Sequence, residues 1–280
     1  MIARLEEPAS DPAVVPAPLP VLRSRLLSAI PFVGHGITRR VPGIGLAEGN
    51  VGYGAPRDRE DAWQMRLAWC DTIGLEARNL VTVHQTHGDT VAVATRGDAG
   101  RGAKPGSDPL AEADAIISAD LGVALMTLHA DCLPILVVDP DLPAVAAIHA
   151  GWRGTVEDVA GFTIRAMQTN FGSDPSRLVA LFGPSIGPCC YQVGNEVADA
   201  WNSRNGHQSR QALFKRQGEW ILDLRVANSH LLISTGLNEA NIEISAICTK
   251  CNGDHWFSHR GQGPNTGRFA AFIAIDQMRV

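Results

Sequence analysis

Two groups of side chains have the types and spacing that metal chemistry needs. "CTKCNGDHWFSHRG" (248–261) sets Cys248, Cys251, His255 and His259 in one short run. A two-Cys, two-His finger separates its pairs by about twelve residues; here three residues part Cys251 from His255, and "NGD" is a turn. Four side chains so close in sequence cannot converge tetrahedrally on one ion. Cys248 is therefore read as a buried thiol, and Cys251, His255 and His259 as wall residues at most. The second group is dispersed. His87 closes "VHQTHGDT", Cys132 interrupts "HADCLPIL" and His149 ends "AAIHAGWRG", each where an apolar run gives way to a turn. A catalytic zinc takes a few protein ligands and keeps one position open, and its ligands need not be neighbours in sequence. The separations of 45 and 17 residues match no local metal pattern. From spacing alone the metal signal is weak, and a buried thiol beside two hydrogen-bonded histidines is the plainer account.

The elements that would carry these residues are mostly strands. "LVTVHQ" (80–85), "VALMTLHA" (123–130), "PILVVD" (134–139), "AVAAIHA" (144–150), "LVALFG" (178–183), "NIEISAI" (241–247) and "RFAAFIAI" (268–275) are short and apolar. Asp, Pro, Gly or Asn bound most of them. One helix is expected from Thr155, capped together with Asp158 and closed by Gly172; another runs from Asp223 as N-cap to Gly236. Strands cluster ahead of helices instead of alternating with them, which favours α+β with a mixed sheet over a doubly wound fold. The Gly/Asp-rich stretch 97–114 reads as a long surface loop, and loops of that length are often functional.

Composition narrows the class. At 45% hydrophobic and 19% charged residues the chain is an ordinary globular protein, and a net charge of −5 without a basic stripe excludes a non-specific nucleic-acid binder. Six cysteines in 280 residues are too few for a disulfide scaffold. Residues 1–20, with five prolines and mixed charge, read as a flexible leader and as neither signal nor transit peptide. No apolar run is long enough to span a bilayer, so a reducing cytoplasm and free thiols are expected. Residues 21–280 read as one catalytic domain.

"VHQTHGDTV", "ADCLPILVVD", "AAIHAGWRGT", "GPSIGPCCYQVG", "CTKC…WFSHR" and "TGRFAAF" follow one another in an order that resembles the laccase-domain, or YfiH-like, family. "GHGITRR" (34–40) and "GNVGYG" (49–54) extend the resemblance to about nine-tenths of the chain. It implies a zinc held by His87, Cys132 and His149, and a fold akin to that of deamidating cysteine hydrolases. Cys132 would bind as thiolate and leave a formal positive charge on the metal. Asp131 would orient a bound water or carry a proton, or else cap a turn. His84, three residues before His87, is read as a structural histidine pointing to the other face of a continuing strand. The resemblance also places the "CTKC…FSHR" run beside the metal without ligating it. His129 stands where the family more often has a small or Thr-like residue.

The family is associated with phosphorolysis of adenosine, inosine and methylthioadenosine and with adenosine deamination, so nucleoside and phosphate are the implied small-molecule partners. A phosphate site calls for arginines and N–H donors; the candidates are Arg40, Asn50, Arg66, Arg153, Arg260 and Arg268. Met65 stands before Arg66 where relatives carry Asn, and His259-Arg260-Gly261 keeps one of two arginines that relatives often show. Three other readings compete. Cys132 and His149 could form the nucleophile–base pair of an amidohydrolase acting on peptidoglycan precursors. A copper-dependent polyphenol oxidoreductase would need about ten histidines, commonly in H-x-H pairs; the chain has nine and no such pair. A single copper remains compatible with a His/Cys site, because Cu(II) outcompetes zinc. A structural zinc protein would show a four-coordinate, Cys-rich site. Composition leaves the oligomeric state open.

Overall fold

The computed structural model describes residues 18–205 and 211–276. Its strands in chain order are β1 (Val33–Ile37), β2 (Leu80–Thr82), β3 (Val91–Val93), β4 (Ala115–Ser118), β5 (Ala124–His129), β6 (Leu133–Asp139) and β7 (Ala144–Ala150). They continue with β8 (Val179–Phe182), β9 (Gln192–Val193), β10 (Leu213–Arg216), β11 (Glu219–Leu222), β12 (Ile242–Ile244) and β13 (Phe269–Ile275). The helices are α1 (Arg25–Ser28), α2 (Arg59–Ile73), α3 (Trp152–Val156), α4 (Val159–Phe171), α5 (Asn195–Asn205), α6 (Leu224–Ser234) and α7 (His259–Gln262).

A four-stranded sheet, β1-β13-β5-β2, packs on a six-stranded sheet, β12-β8-β6-β7-β4-β3; a small sheet, β10-β11-β9, adds Val193, Leu213 and Leu222 to the core on the far side of the second. Both large sheets mix parallel and antiparallel pairs, as the α+β reading requires. Side-chain alternation divides each central strand between two cores. In β13, Phe269, Ala271 and Ile273 face the other sheet, while Ala270, Phe272 and Ala274 meet Met65, Trp69 and Ile73 of α2. In β6, Leu136 and Val138 face the first sheet; Leu133, Ile135 and Val137 face α4 and α6. The result is helix, sheet, sheet, helix. Strands covered on both faces need apolar residues throughout, which is why the central ones read as continuous runs and not as alternating ones.

Several expectations change. The helix expected from Thr155 is two helices: α3 starts after Gly151, and α4 starts at Asp158, whose backbone is left-handed (φ 68°) and whose carboxylate accepts from the Gly161 N–H. Thr155 is fully buried inside α3, and its hydroxyl accepts from Asn228 of α6, so it cannot cap. Gly172, Asp223 and Gly236 end or begin helices as expected. Leu19, assigned to the leader, is 4% exposed and packs in the core beside α2, with its N–H donated to Thr72. Residues 1–17 of that leader lie outside the described residues. The 97–114 stretch is no simple surface loop, since Gly102, Ala103, Ala113 and Asp114 are buried. Among the described residues, no helix is long and apolar enough to cross a membrane.

Candidate metal centre and active site

Antiparallel pairing brings the ends of β4, β6 and β7 together, and the turn into β6 adds the end of β5 from the other sheet. β5 ends at His129, β6 begins just after Cys132, β7 ends just after His149 and β4 begins just after Asp114. In register, His149 lies opposite Pro134 on β6, and Ile148 opposite Ala115 on β4. The loop after β2 supplies His87, in left-handed backbone (φ 65°). One ligand atom each from His87, Cys132 and His149 lies within 4.8 Å of the others, so the three could hold a metal ion. Gly151 makes the convergence possible: a Cβ there would sit 3.1 Å from Cys132 Sγ and 3.2 Å from the His87 ring.

Asp114 organises the group, and sequence reasoning did not single it out. It is fully buried, and its Oδ1 lies 2.7 Å from His149 Nδ1. A carboxylate can only accept, so Nδ1 carries the proton and Nε2 is left as the ring's ligand atom. Asp114 Oδ2 accepts from the Thr86 N–H, the Thr86 hydroxyl and the Gly88 N–H, which pins the turn on both sides of His87. The one legible signal was an acid between Ala113 and Ala115 at the mouth of an apolar strand.

Burial alone would raise the Cys132 thiol, but His149 and then His87 outweigh it and bring the thiol down to about 6. Burial opposes charge on His149 as well, yet Cys132 and Asp114 raise it to about 9. A thiolate and an imidazolium sharing a proton form a donor set in which a divalent cation can take the proton's place. Burial, and then His149, hold His129 well below its usual value. That ring packs between Thr127 and the Cys132 carbonyl and stacks on Phe269, supporting the cysteine from beneath.

The group opens into a cavity of about 900 Å³. Arg57, Arg66, Arg260 and Arg268 line it, together with His84, His259, Tyr53 and Tyr191. Residues 106–109 of the long loop form part of the wall. His84 is not on a continuing strand: β2 ends at Thr82, and His84 is exposed on the same cavity as His87. Of the phosphate candidates, Arg66, Arg260 and Arg268 reach the cavity; Arg57 joins them unforeseen. Arg66 is 2% exposed, stacks on Tyr53 and donates to the carbonyls of Val51, Gly102 and Ala103, so it builds the floor. The other three candidates lie off the cavity wall. Arg40 pairs with Glu48 and the Gly253 carbonyl. Asn50 is fully buried, accepting from the N–H groups of Gly52 and Arg268. Exposed Arg153 lies over the Trp152 ring.

Asp131 reaches the cavity, and its two oxygens accept from the Thr249 hydroxyl and the Arg260 N–H, long-range bonds that tie its turn to the 248–261 segment. Gly52 and Gly54 of "GNVGYG" lie against arginines: a Cβ on either would meet Arg268 at 2.9 Å or Arg57 at 2.7 Å. Burial, and then the neighbouring Arg57 charge, lower Arg268. Two guanidinium groups held this close favour an anion between them. The Cys/His run of 248–261 divides: His259 and Arg260 line the cavity, while Cys248 and Cys251 gather with Cys189 and Cys190. Cys251 is thus more than a wall residue.

Comparison with known proteins agrees with this geometry. The family described as "Multi-copper polyphenol oxidoreductase laccase" matches residues 34–276. The chain is 33% identical over 251 residues to "Purine nucleoside phosphorylase YlmD" of Geobacillus stearothermophilus, covering 88% of this chain and 92% of that protein. It is 34% identical over 206 residues to "Adenosine deaminase RL5" from an unknown prokaryotic organism, covering 72% and 78%. The crystal structure of YlmD from Geobacillus stearothermophilus superposes with a TM-score of 0.85 at 30% identity, covering 91% of this chain and 94% of that one. Bacillus licheniformis YfiH superposes with a TM-score of 0.82 at 30% identity, covering 87% and 92%. A family match over residues 34–276, 33% identity across most of both chains and a TM-score of 0.85 show that the chain belongs to the laccase-domain, YfiH-like family.

Proposed function

We propose that this chain is a zinc-dependent purine nucleoside phosphorylase, with zinc on His87, Cys132 and His149 and phosphate on arginines of the same cavity. The observation that carries the reading is a three-donor His/Cys group opening into an arginine-walled cavity. Relatives named for phosphorolysis and for adenosine deamination support the substrate class. Bound zinc would supply a Lewis acid next to the substrate. Asp114 keeps the His149 proton on Nδ1 and holds the His87 turn. Arg57, Arg260 and Arg268 offer donors to a phosphate dianion, and charge-assisted bidentate pairs suit that role. Val83, Leu128 and Ile186 give the purine an apolar wall. In phosphorolysis a phosphate oxygen bonds to C1′ as the C1′–N9 bond breaks; the electron pair leaves with the base, which then takes up a proton. His84, exposed on the cavity wall, would deliver it. Deamination would be a separate step at the purine ring, in which water bonds to C6 and the amino group leaves as ammonia.

The test is release of base from adenosine, inosine and methylthioadenosine with and without phosphate. Turnover should require phosphate and should fall by about a hundredfold or more in His87→Ala and Cys132→Ala. No turnover of any of the three by zinc-loaded protein would overturn the reading.

The Cys132–His149–Asp114 line favours one second reading, a nucleophile, its base and an orienting carboxylate for amide hydrolysis. That chemistry would be indifferent to phosphate and would leave an acyl adduct on Cys132, visible by mass spectrometry. Copper on the same donors would appear in elemental analysis. The two metal-capable groups among the described residues contain two histidines between them, too few for a three-copper cluster.

A further inference from the structure

We propose a second metal centre in this chain: a zinc ion held by Cys189, Cys190, Cys248 and Cys251, clamping together two loops of the cavity wall. The four sulfurs all lie within 4.8 Å of one another; Cys251 Sγ is 3.5 Å from that of Cys189 and 3.4 Å from that of Cys190. A tetrahedral site with Zn–S near 2.3 Å has sulfurs about 3.8 Å apart. A disulfide would bring two of them to about 2.05 Å. The observed spacing is too long for a disulfide and suits four thiolates around one ion.

The backbone is shaped for it. Neighbours in sequence normally point apart, but the Cys190 and Tyr191 N–H groups both donate to the Gly187 carbonyl and wind the Cys189–Cys190 pair into a tight turn. Gly187 also gives clearance, since a Cβ there would lie 3.2 Å from Cys248 Cβ and 3.4 Å from Cys189 Sγ. On the other side, Cys248 and Cys251 flank a two-residue turn closed by the Asn252 N–H on the Cys248 carbonyl. The Gly187 N–H donates to Cys248 Sγ, a bond that favours thiolate over thiol. Soft thiolates in tetrahedral array select zinc among common divalent cations, and an all-cysteine set closes the coordination sphere, so the site is structural and not catalytic.

Its place in the fold gives it work. The Cys189–Cys190 turn runs straight into Tyr191, and the Cys248–Cys251 turn leads to His259 and Arg260; all three line the cavity. Arg260 donates to the Gln192 carbonyl and lies over the Tyr191 ring, so both loops meet again at the cavity. A zinc between them would fix the separation of these two wall segments.

The inference is independent of the phosphorylase reading: a protein with no nucleoside turnover but two zinc ions would leave it standing. Elemental analysis of protein from zinc-supplemented growth should find about two zinc ions per chain, falling to about one in Cys189→Ser/Cys251→Ser. The variant should keep the zinc that His87→Ala loses. Zinc content identical in the variant and the unaltered protein would overturn the proposal, as would iron in the cage. So would a disulfide among these cysteines in peptides alkylated from freshly isolated protein. Should the variant fail to fold, zinc X-ray absorption of the unaltered protein decides. Two centres predict an average of about 2.5 sulfurs per zinc, and the His87/Cys132/His149 group alone predicts about one.

Discussion

Asp114 Oδ2 receives three donors from the His87 turn while Oδ1 holds the His149 proton, so one side chain sets both imidazoles. An amide in its place would point an NH2 group at N–H donors on one side or the other. Asp114→Asn should weaken zinc binding about 10- to 100-fold, the usual cost of removing a carboxylate behind a ligand histidine; competition with a chelator measures it. Gly151→Ala would press a methyl group between Cys132 and the His87 ring. Its zinc affinity and kcat should drop while the far-ultraviolet circular dichroism stays unchanged. At this scale the sequence pointed to the three candidate donors through polar residues at strand ends, and the family resemblance favoured a metal site over a buried thiol. Asp114 escaped because an acid before a strand is commonplace, and only the fold shows it buried against two histidines.

The arginines show what separates a residue type from its placement. Arg40, Arg66 and Arg153 were as plausible in sequence as Arg260, yet Arg40 and Arg153 lie off the cavity, and Arg66 is buried in its floor against three backbone carbonyls. Arg57, just before α2, and Arg268, just before β13, come together because both donate to the Thr266 carbonyl. Such meetings are tertiary and leave no local pattern. Arg268→Met should raise the phosphate KM about 10- to 100-fold with the nucleoside KM within about threefold, as for loss of a charge-assisted pair. Steady-state kinetics with each substrate varied separately will show it. The apolar strands β5 to β8 and β13 were legible because both faces are covered. Thr155 misled because an N-cap box can be written by residues that the fold buries. Within β13, Phe272 is fully buried against α2, and Phe272→Ala should cost about 3–5 kcal/mol in urea unfolding.

Over the whole molecule, one buried histidine ties stability to pH. His35 on β1 is 1% exposed, and its Nε2 accepts from the Ser24 N–H. Burial, and then the Arg23 charge, lower it to about 4. The unfolded chain takes up this proton near pH 6.5, so between that value and about 4 it binds more protons than the folded one. Stability should therefore fall as pH drops through this window, by on the order of 3 kcal/mol from this group, and be insensitive to it above. Denaturant midpoints from pH 7 to 4 test this, with a shallower decline expected in His35→Gln.

The meeting of strand ends from two different sheets at one site also has a kinetic meaning. The donors His87, Cys132 and His149 come from separate stretches of chain and meet only after both large sheets have paired, so the ion should find little to bind early in folding. Contacts absent from the transition state slow unfolding without hastening folding. Stopped-flow refolding should run at the same rate with or without zinc, whereas the unfolding limb should slow when zinc is bound.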